Sequence, residues 1–409
     1  MNYFLFLTLI FVSLQFWPEI TAYDLVRDYS GQNFFEGWDF YGYWDNLTLG
    51  DVWWLDEADA MSQGLAYING ASNAIIKVDN ASNVEMNDKR NSVRITSQDA
   101  YGLGSLWIID LLHLPYGCSV WPAFWSKGPL WPNDGEIDII EAINVMPNNQ
   151  MALHTTAGCM HAAGVSETGI EGGADCSTAA GCIVSETSPN SFESGFALMG
   201  GGVFACQFDV AGVFMWFWSR PNIPASIISA NSTSPMDISQ WGTPSASYPS
   251  VTCNMSEFFT AQNLVLDITL CGDWAGLGAV YNATCGASGP TGLCYNDNVV
   301  GPGSPKYDNA YFEVSYVRAY TTPNPPATSA ADPTSTTSSG SAMTTSTITE
   351  AGGMGGPTEV ITAAPTGTSA TVSSSVNGVA GLVPGRFVGG WGGLLCAAGA
   401  GAVTVLGGV

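Results

Sequence analysis

Three carboxylates lie close together in one apolar stretch, GEIDIIEAIN, at residues 135–144. Glu136, Asp138 and Glu141 have only Ile, Ala, Gly and a terminal Asn around them. Acids brought together repel each other, and burying an unpaired charge costs free energy, so this arrangement needs a chemical reason. Glycoside hydrolysis supplies one, because it needs two nearby carboxyl groups, one to attack the sugar and one to donate a proton. The third acid would share a proton or a hydrogen bond with its neighbour and so adjust its charge.

The spacing of the three acids indicates which backbone could bring them together. On a helix they would point to about 0°, 200° and 140° around the axis, which separates Glu136 from the other two. On a strand Glu136 and Asp138 share a face, and Glu141 falls on the opposite one unless a residue is inserted. We therefore predict a strand with a β-bulge at Ile139 or Ile140.

Two other interpretations of the acids remain open at this point. A solvated strand edge needs no chemistry, and three acids can also form a calcium site. The upstream residues favour a sugar cleft, because Trp121, Trp125 and Trp131 offer flat faces that suit a sugar ring. Core packing is the alternative for any one of these tryptophans.

The elements around the acids read as short strands rich in Val, Ile, Phe, Tyr and Trp, separated by Gly, Pro, Asn and Asp. This pattern of short apolar runs and turn residues predicts an all-β sandwich that forms one domain. Some runs, such as FMWFW, are apolar on both faces, and we expect an aromatic-lined cleft to cover the second face. The clearest predicted strands are 105–114, 213–219, 263–270 and 311–320.

The acid segment resembles the signature of glycoside hydrolase family 16, and within it the laminarinase-like fungal endo-1,3(4)-β-glucanases. That signature is Glu-x-Asp-x-x-Glu after WPAFW and GPxWP, and all three parts occur here in order. The lichenase-like enzymes and wall transglycosylases of the family resemble the shorter Glu-x-Asp-x-Glu instead. The resemblance extends over most of residues 23–320 and includes GWDFY, SVRITS (92–97), LHTTAGC (153–159), WFWSRPNIPASI (216–227) and CGDWAG (271–276).

The resemblance implies a β-jelly-roll of two curved antiparallel sheets, with the glucan lying across the concave one. It implies that Glu136 is the nucleophile, Asp138 the assisting acid and Glu141 the general acid/base. It also implies substrate contacts, with no metal and no cofactor. The implied contact residues are Arg94, Trp125, Trp131, His154 and Trp274.

Both ends of the chain differ from the middle. Residues 1–22 are predicted to be a secretory signal peptide, and 23–322 the catalytic domain. Residues 323–378 are rich in Ser, Thr and Pro and are predicted to form a disordered stalk. Residues 379–409 have the order expected of a GPI-anchor signal, and a disordered tail on a freely secreted protein is the alternative. We expect a protein that is secreted, extracellular or in the cell wall, or attached to the plasma membrane only through such a lipid anchor.

Sequons and cysteines support secretion. Five Asn-x-Ser/Thr sequons suggest surface loops, and nine cysteines in the same region suggest disulfides with at least one thiol unpaired. No cysteine or histidine pattern has zinc spacing. The sequons are at Asn46, Asn80, Asn231, Asn254 and Asn282, and the cysteines at Cys118, Cys159, Cys176, Cys182, Cys206, Cys253, Cys271, Cys285 and Cys294.

The charge balance limits the partners. Asp and Glu number 35 against 10 Lys and Arg, a net charge of −25, which disfavours nucleic acid and anionic membranes. We expect a monomer whose partner is neutral β-glucan. The predicted function is a retaining endo-β-glucanase acting on β-1,3 and mixed β-1,3/1,4 linkages. A non-catalytic glucan-binding domain and a wall-remodelling transglycosylase are the alternatives.

Overall fold

A computed structural model describes residues 22–323. The predicted signal peptide, stalk and anchor signal lie outside this range, apart from Ala22 and Pro323 at its ends. Every strand pairing in the described part is antiparallel except that of β3 with β7. The strands are β1 (Ala22–Ser30), β2 (Trp38–Phe40), β3 (Val52–Trp54), β4 (Ala66–Ile68), β5 (Ala74–Lys77), β6 (Asn83–Val84), β7 (Arg90–Ser92), β8 (Arg94–Tyr101), β9 (Ser105–His113), β10 (Val120–Lys127), β11 (Glu136–Glu141), β12 (Gln150–His154), β13 (Ile170–Gly173), β14 (Cys182–Ser185), β15 (Gly202–Asp209), β16 (Gly212–Ser219), β17 (Met236–Asp237), β18 (Ala246–Pro249), β19 (Gln262–Leu270), β20 (Gly301–Pro302) and β21 (Tyr311–Thr321).

The helices are short and lie between strands. They are α1 (Glu57–Ser62), α2 (Glu193–Leu198), α3 (Ala225–Ser229), α4 (Met255–Phe258), α5 (Gly272–Ala275) and α6 (Gly278–Cys285), with 3-10 turns at Gly31–Asn33 and Arg220–Asn222 and a π-helical turn at Tyr295–Val299. Across residues 22–323 no helix has the length and apolar character needed to cross a membrane. The predicted all-β class is confirmed.

Two antiparallel sheets form the body of the fold. One has nine strands in the order β17-β1-β21-β9-β15-β16-β18, extended by β5 and β4 beside β21. The other has eight strands in the order β13-β14-β12-β11-β10-β19-β8-β2. Alternate residues of both sheets meet in one core, which the apolar periodicity of the strands explains. From β19 this core takes Leu264, Leu266, Ile268 and Leu270.

The remaining residues of the eight-stranded sheet point to its other face, which we call the acid face because it carries Glu136, Asp138 and Glu141. From β10 it receives Trp121 and Trp125, which lie outside the main core. The core side of β11 is occupied by Ile137, Ile139 and Ile140. On β11 the three isoleucines therefore point to the core and the three acids point to the opposite face.

The prediction for β16 was wrong in one respect. Its second apolar face does not line a sugar cleft, because β16 belongs to the nine-stranded sheet. That face is covered by a smaller apolar cluster formed with α3 and Trp241, whose ring centroid lies 5.3 Å from that of Trp216 and 5.1 Å from that of Trp218. A short helix and a loop therefore cover the face of β16 that we expected to line a cleft.

The described residues contain four disulfides, as the cysteine content predicted. Cys206 of β15 is the one free cysteine among the described residues, and it is buried. One bridge, Cys118–Cys285, attaches the segment that carries Trp274 to the start of β10, and a second, Cys271–Cys294, joins the two ends of that segment. The pairs are Cys118–Cys285, Cys159–Cys253, Cys176–Cys182 and Cys271–Cys294.

The sequon asparagines lie near the surface, but one is not in a loop. Asn46, Asn231 and Asn254 are exposed in loops, and Asn80 is partly exposed. Asn282 is exposed within α6, contrary to the expected loop. Helix and loop were not separable there, because YNATCG has no clear period.

Candidate active site

The strand register confirms the bulge that the parity of the acids predicted. On β10, Trp125 lies opposite Asp138 and Phe124 lies opposite Ile140, which leaves Ile139 without a partner. On β12, Ala152 pairs with Asp138 and Gln150 with Glu141, so three steps on β11 match two on β12. One extra residue reverses the alternation. Glu141 therefore lies on the same face as Glu136 and Asp138.

Asn149 braces this bulge. Its side-chain Nδ2 donates to the carbonyl oxygen of Ile139 at 2.9 Å, and its Oδ1 accepts from the backbone N–H of Glu141 at 2.9 Å. The asparagine is buried, and its own N–H donates to the Ser191 hydroxyl at 3.0 Å. A bulge leaves ladder groups unpaired, and one buried amide satisfies two of them here. We did not predict this residue, because nothing in MPNNQ distinguishes it from its neighbour Asn148.

We expect Asn149→Ala to lower kcat about 10–100-fold with KM changed less than about threefold, because Glu141 would lose its fixed position. The control is Asn148→Ala, whose side chain makes no hydrogen bond within residues 22–323. Asn149→Asp keeps the acceptor for Glu141 and loses the donor to Ile139, so its kcat should lie between that of Asn149→Ala and that of the unsubstituted chain. Steady-state kinetics, pH–rate profiles and melting temperatures decide the question. A lower melting temperature with unchanged kcat and pH profile would reduce Asn149 to a purely structural role.

Each acid has one close partner. Glu136 accepts a short hydrogen bond from the indole Nε1 of Trp131. Glu141 Oε1 accepts from Trp121 Nε1 at 2.9 Å. Asp138 Oδ2 lies 3.3 Å from His154 Nε2. Indole donors orient the carboxylates of Glu136 and Glu141, whereas Asp138 Oδ2 accepts no hydrogen bond among the described residues.

A divalent cation is the alternative occupant of this cluster. One ligand atom from each of Glu136, Asp138 and His154 lies within 4.8 Å of the others. The donor set does not suit calcium, which prefers six to eight oxygen ligands, because one of the three donors is an imidazole nitrogen. The acids also favour their protonated forms, which bind metal poorly. The chemistry of the residues therefore favours proton transfer over calcium binding.

The pKa values of the acids are raised. Burial, and then the charge of Asp138, raise the pKa of Glu136 from 4.5 to about 8, while His154 and Trp131 oppose the shift. Burial raises the pKa of Asp138, and the charge of Asp267 adds to this. Burial, followed by the charge of Asp138, raises the pKa of Glu141 well above its usual value. Three acids this close hold fewer than three charges at neutral pH.

This proton uptake predicts a pH-dependent stability. A carboxyl whose pKa is higher in the folded than in the unfolded chain stabilises the fold fully below its unfolded pKa, and the contribution is lost as pH rises through the folded pKa. For Glu136 the window runs from 4.5 to about 8. We expect Glu136→Gln to melt about 3 °C above the unsubstituted chain at pH 8 and at the same temperature at pH 4. A variant that melts lower at pH 8 would contradict the raised pKa.

A fourth acid lies buried on the same face, and it was not predicted from the sequence. Asp267 of β19 accepts from Trp125 Nε1 at 3.2 Å, and its carboxylate lies 3.9 Å from Arg94 Nε. Burial raises its pKa to about 7 although Arg94 opposes the shift. The signal was available in NLVLDITL, where one acid interrupts an apolar strand. The guanidinium of Arg94 also faces the rings of Tyr41, at 5.0 Å, and Trp125, at 5.4 Å.

The structure brings all five predicted contact residues to this face, at different distances from the acids. Trp131 and His154 touch acids directly, and Trp131 is 55% exposed. Arg94 and Trp125 both lie against Asp267, and both are buried. Trp274 reaches the acids only through Trp121, with ring centroids 5.4 Å apart at a near-perpendicular angle. Trp121, noted in the sequence but not chosen as a contact, is the tryptophan that donates to Glu141.

A model described as the XgeA-like catalytic domain of glycoside hydrolase family 16 matches residues 38–320. A probable glycosidase of Schizosaccharomyces pombe is 37% identical over 306 residues, which cover 73% of this chain and 69% of that protein. A probable endo-1,3(4)-β-glucanase of Aspergillus fumigatus is 36% identical over 307 residues, covering 73% of this chain and 45% of that protein. The match therefore spans less than half of the Aspergillus relative.

Solved structures agree with the family match. Laminarinase 16A of family 16 from Phanerochaete chrysosporium, solved with β-glucans in donor and acceptor sites, superposes with a TM-score of 0.68 at 32% identity, covering 73% of this chain and all of that one. An elongating family 16 β-1,3-glucosyltransferase superposes with a TM-score of 0.67 at 34% identity over the same shares. These likenesses confirm the jelly-roll that the resemblance implied. The chain belongs to glycoside hydrolase family 16 and carries an XgeA-like catalytic domain of that family, which makes it a glycoside hydrolase.

Proposed function

We propose that the chain is a retaining endo-β-glucanase that hydrolyses β-1,3 and mixed β-1,3/1,4-glucans. The observation that carries the proposal is the bulge in β11, which turns Glu136, Asp138 and Glu141 to one face beside Trp131 and Trp121. The names of the Aspergillus relative and of the laminarinase support the substrate class. Retention requires a nucleophile about 5–5.5 Å from the proton donor, and the bulge that brings Glu136 and Glu141 to one face supports this part of the proposal.

In the first step the Glu136 carboxylate attacks the anomeric carbon, and Glu141 gives its proton to the leaving glycosidic oxygen. The raised pKa keeps Glu141 protonated at neutral pH. Glu136 must be ionised to attack, and Asp138, an oxygen of which lies within 4.8 Å of a Glu136 oxygen, is the neighbouring group that would take its proton. In the second step ionised Glu141 takes a proton from water, whose oxygen attacks the anomeric carbon and releases Glu136. Water and the glycosidic bond are the only reactants, so no cofactor is needed.

The sugar contacts in this proposal are the five residues named from the resemblance. Trp131 offers its exposed ring beside the nucleophile. His154 holds Asp138 in place from the neighbouring strand β12. Arg94 lies on β8 and Trp125 on β10, and Trp274 of α5 packs against Trp121 at the start of β10. Sugar rings stacked on indole faces and held by a few polar groups are the usual composition of such sites.

Proton NMR of the first products tests the proposal directly. Laminarin, lichenan and cellulose are digested in parallel, and we expect the first two to release reducing ends as the β-anomer before mutarotation, with cellulose unaffected. The α-anomer appearing first would mean inversion and would overturn the roles given to Glu136 and Glu141. A chain that retains the three acids and releases no reducing ends from any glucan would be a binding domain.

A transglycosylase is the second candidate, and the β-1,3-glucosyltransferase among the similar structures favours it. It shares the glycosyl-enzyme intermediate and differs in accepting a sugar hydroxyl in place of water. Sizing the products of a laminari-oligosaccharide, with and without an added acceptor, separates the two. Products longer than the starting chain, formed faster than reducing ends, would assign the chain to transfer.

We also propose how the chain is organised in the cell. Residues 1–22 would be removed as a signal, 23–322 would form the catalytic domain, 323–378 would be a glycosylated spacer, and 379–409 would direct a GPI anchor. The sequons at or near the surface support an extracellular or cell-wall location, and we propose that the protein is a monomer there. Release of the protein from membranes by a phosphatidylinositol-specific phospholipase C would support the anchor, and a protein found only in the medium would rule it out.

A further inference from the structure

Three aromatic side chains are exposed together away from the acids. Tyr43 is 55% exposed, Trp44 39% and Trp53 42%. The ring of Tyr43 lies 5.8 Å from that of Trp53 and 6.4 Å from that of Trp44. We call these three residues the aromatic platform. Single exposed aromatics are ordinary, but a group of three large rings left in water indicates a binding surface.

The platform is held in place by backbone contacts. Trp44 and Trp53 form an isolated antiparallel bridge, and the N–H of Trp54 donates to the carbonyl of Tyr43 at 2.9 Å. Trp53 lies in β3, which pairs with β7, and the ring of the next residue, Trp54, is in the core. The rings therefore project from a fixed backbone, which lowers the entropy cost of binding a ligand.

Beside the platform lies an open pocket of about 500 Å³ in which Trp53 forms one wall. Its other lining groups are mostly polar and include Asp79, Asn83, Lys89 and Asn91. Within the described residues the side-chain amides of Asn83 and Asn91 donate to Glu85 and Gln63, and their Oδ1 atoms accept no hydrogen bond. Those oxygens are free to accept from a ligand hydroxyl.

The chemistry of this surface indicates a neutral sugar. Aromatic rings suit the apolar faces of glucosyl units, and amide and carboxylate groups suit their hydroxyls. An anionic ligand is disfavoured, because the pocket has two acids, Asp79 and Asp88, against the single Lys89, and the whole chain has a net charge of −25. A protein partner would leave the polar floor of the pocket unpaired.

The platform is separate from the acid face but connected to it. Tyr41, whose ring faces Arg94 on the acid face, is followed within three residues by Tyr43 and Trp44. Strand β8, which carries Arg94, lies three strands from β11, or roughly 14 Å at the usual spacing. Trp53 lies on β3, which pairs with β7, and β7 ends two residues before β8 begins. A short oligosaccharide spanning the acids would not reach the platform, whereas a polymer would.

We propose that the aromatic platform and its pocket form an auxiliary binding site for β-glucan chains, distinct from the site of cleavage. The choice of β-glucan over other neutral polysaccharides rests on the proposed function. The site holds the polymer beside the acid face, which raises the local concentration of cleavable bonds.

Binding of the full chain to insoluble β-1,3-glucan tests this site. All proteins carry Glu136→Gln to prevent hydrolysis, and Asn80→Gln so that no glycan covers the neighbouring pocket. Trp53→Ala and Tyr43→Ala are compared with Tyr67→Ala, a matched control that removes a 41% exposed tyrosine from β4 in the other sheet. We expect the apparent Kd to rise about fivefold in each platform variant, since an aromatic contact contributes about 1 kcal/mol. Tyr67→Ala should bind as the parent does.

The same substitutions with Glu136 intact give a second measurement. Hydrolysis of a short soluble laminari-oligosaccharide should stay within about twofold of the parent, because the sugar does not reach the platform, and hydrolysis of the insoluble polymer should fall. Platform variants that melt normally and bind the polymer as tightly as Tyr67→Ala overturn the inference. A parent that hydrolyses neither substrate overturns the proposed function instead, whatever the binding shows.

Discussion

Glu136→Gln is expected to lower kcat on laminarin by about ten-thousandfold while leaving the fold intact, because the amide cannot form the glycosyl-enzyme bond. Gln matches Glu in shape and still accepts from Trp131, so substrate binding should change little. Reducing-sugar release with matched circular dichroism spectra measures both effects. The control is Glu257→Gln, an exposed acid of α4, which should leave kcat unchanged.

Chemical rescue identifies the role of Glu136 more sharply than the loss alone. In Glu136→Gly, added azide or formate should occupy the space of the carboxylate and attack the anomeric carbon, restoring part of the turnover on a substrate with a good leaving group. With azide the product should be the α-glycosyl azide, since one displacement inverts the centre. A β-configured azide, or no rescue together with activity in Glu136→Gln near that of the control, would show that Glu136 is not the nucleophile.

Glu141→Ala is expected to lower kcat on laminarin about a thousandfold, because the leaving sugar oxygen would depart without a proton. An aryl glycoside with a dinitrophenyl leaving group needs no proton, so the first step should remain fast and a burst of phenol should precede a slow steady state. The basic limb of the pH profile, which reports the acid, should disappear for that substrate.

The two substrates separate catalysis from structure in Glu141→Ala. A purely structural loss would reduce both substrates equally and abolish the burst. Glu171→Ala, which removes a glutamate from β13 at the edge of the same sheet, is the control, and it should leave both substrates unaffected.

The parity of three acids predicted the bulge in β11, since a strand admits only two faces and Glu141 was on the wrong one. The same reasoning does not find its brace. Asn149 is one of two adjacent asparagines, and only the pairing of β11 with β12 selects it. The face on which each acid lies follows from the spacing within one strand. The hydrogen bonds of Asn149 depend instead on which strands become neighbours.

The wrong prediction for β16 and the missed Asp267 have the same cause, because both depend on which strands become neighbours. The two apolar faces of β16 were read correctly as buried, but the sequence does not say which sheet the strand joins, and α3 with Trp241 covers the face given to a cleft. Asp267 is visible as the one acid that interrupts the apolar strand NLVLDITL, but a single acid does not show which residues it will face. Its position opposite Arg94 on β8 appears only when the strands are paired.

The raised pKa values connect stability with chemistry. Burial raises the pKa of Glu136, Asp138 and Glu141. Keeping these carboxyl groups in the folded protein therefore lowers its stability at neutral pH. The Glu136→Gln variant should therefore be more stable at pH 8 while losing its turnover. Opposite effects of one substitution on stability and activity are typical of a functional site.

The central claim is that the bulge in β11 makes Glu136 the nucleophile of a double displacement. Peptide mass spectrometry after incubation with an activated 2-deoxy-2-fluoro-β-laminaribioside tests it most directly, because the fluorine slows the second step and lets the intermediate accumulate. We expect one glycosyl adduct per chain, at Glu136 within the peptide that contains GEIDIIEAIN. An adduct on Asp138 or Glu141, or rapid turnover of the inhibitor with no adduct and inverted product, would contradict it.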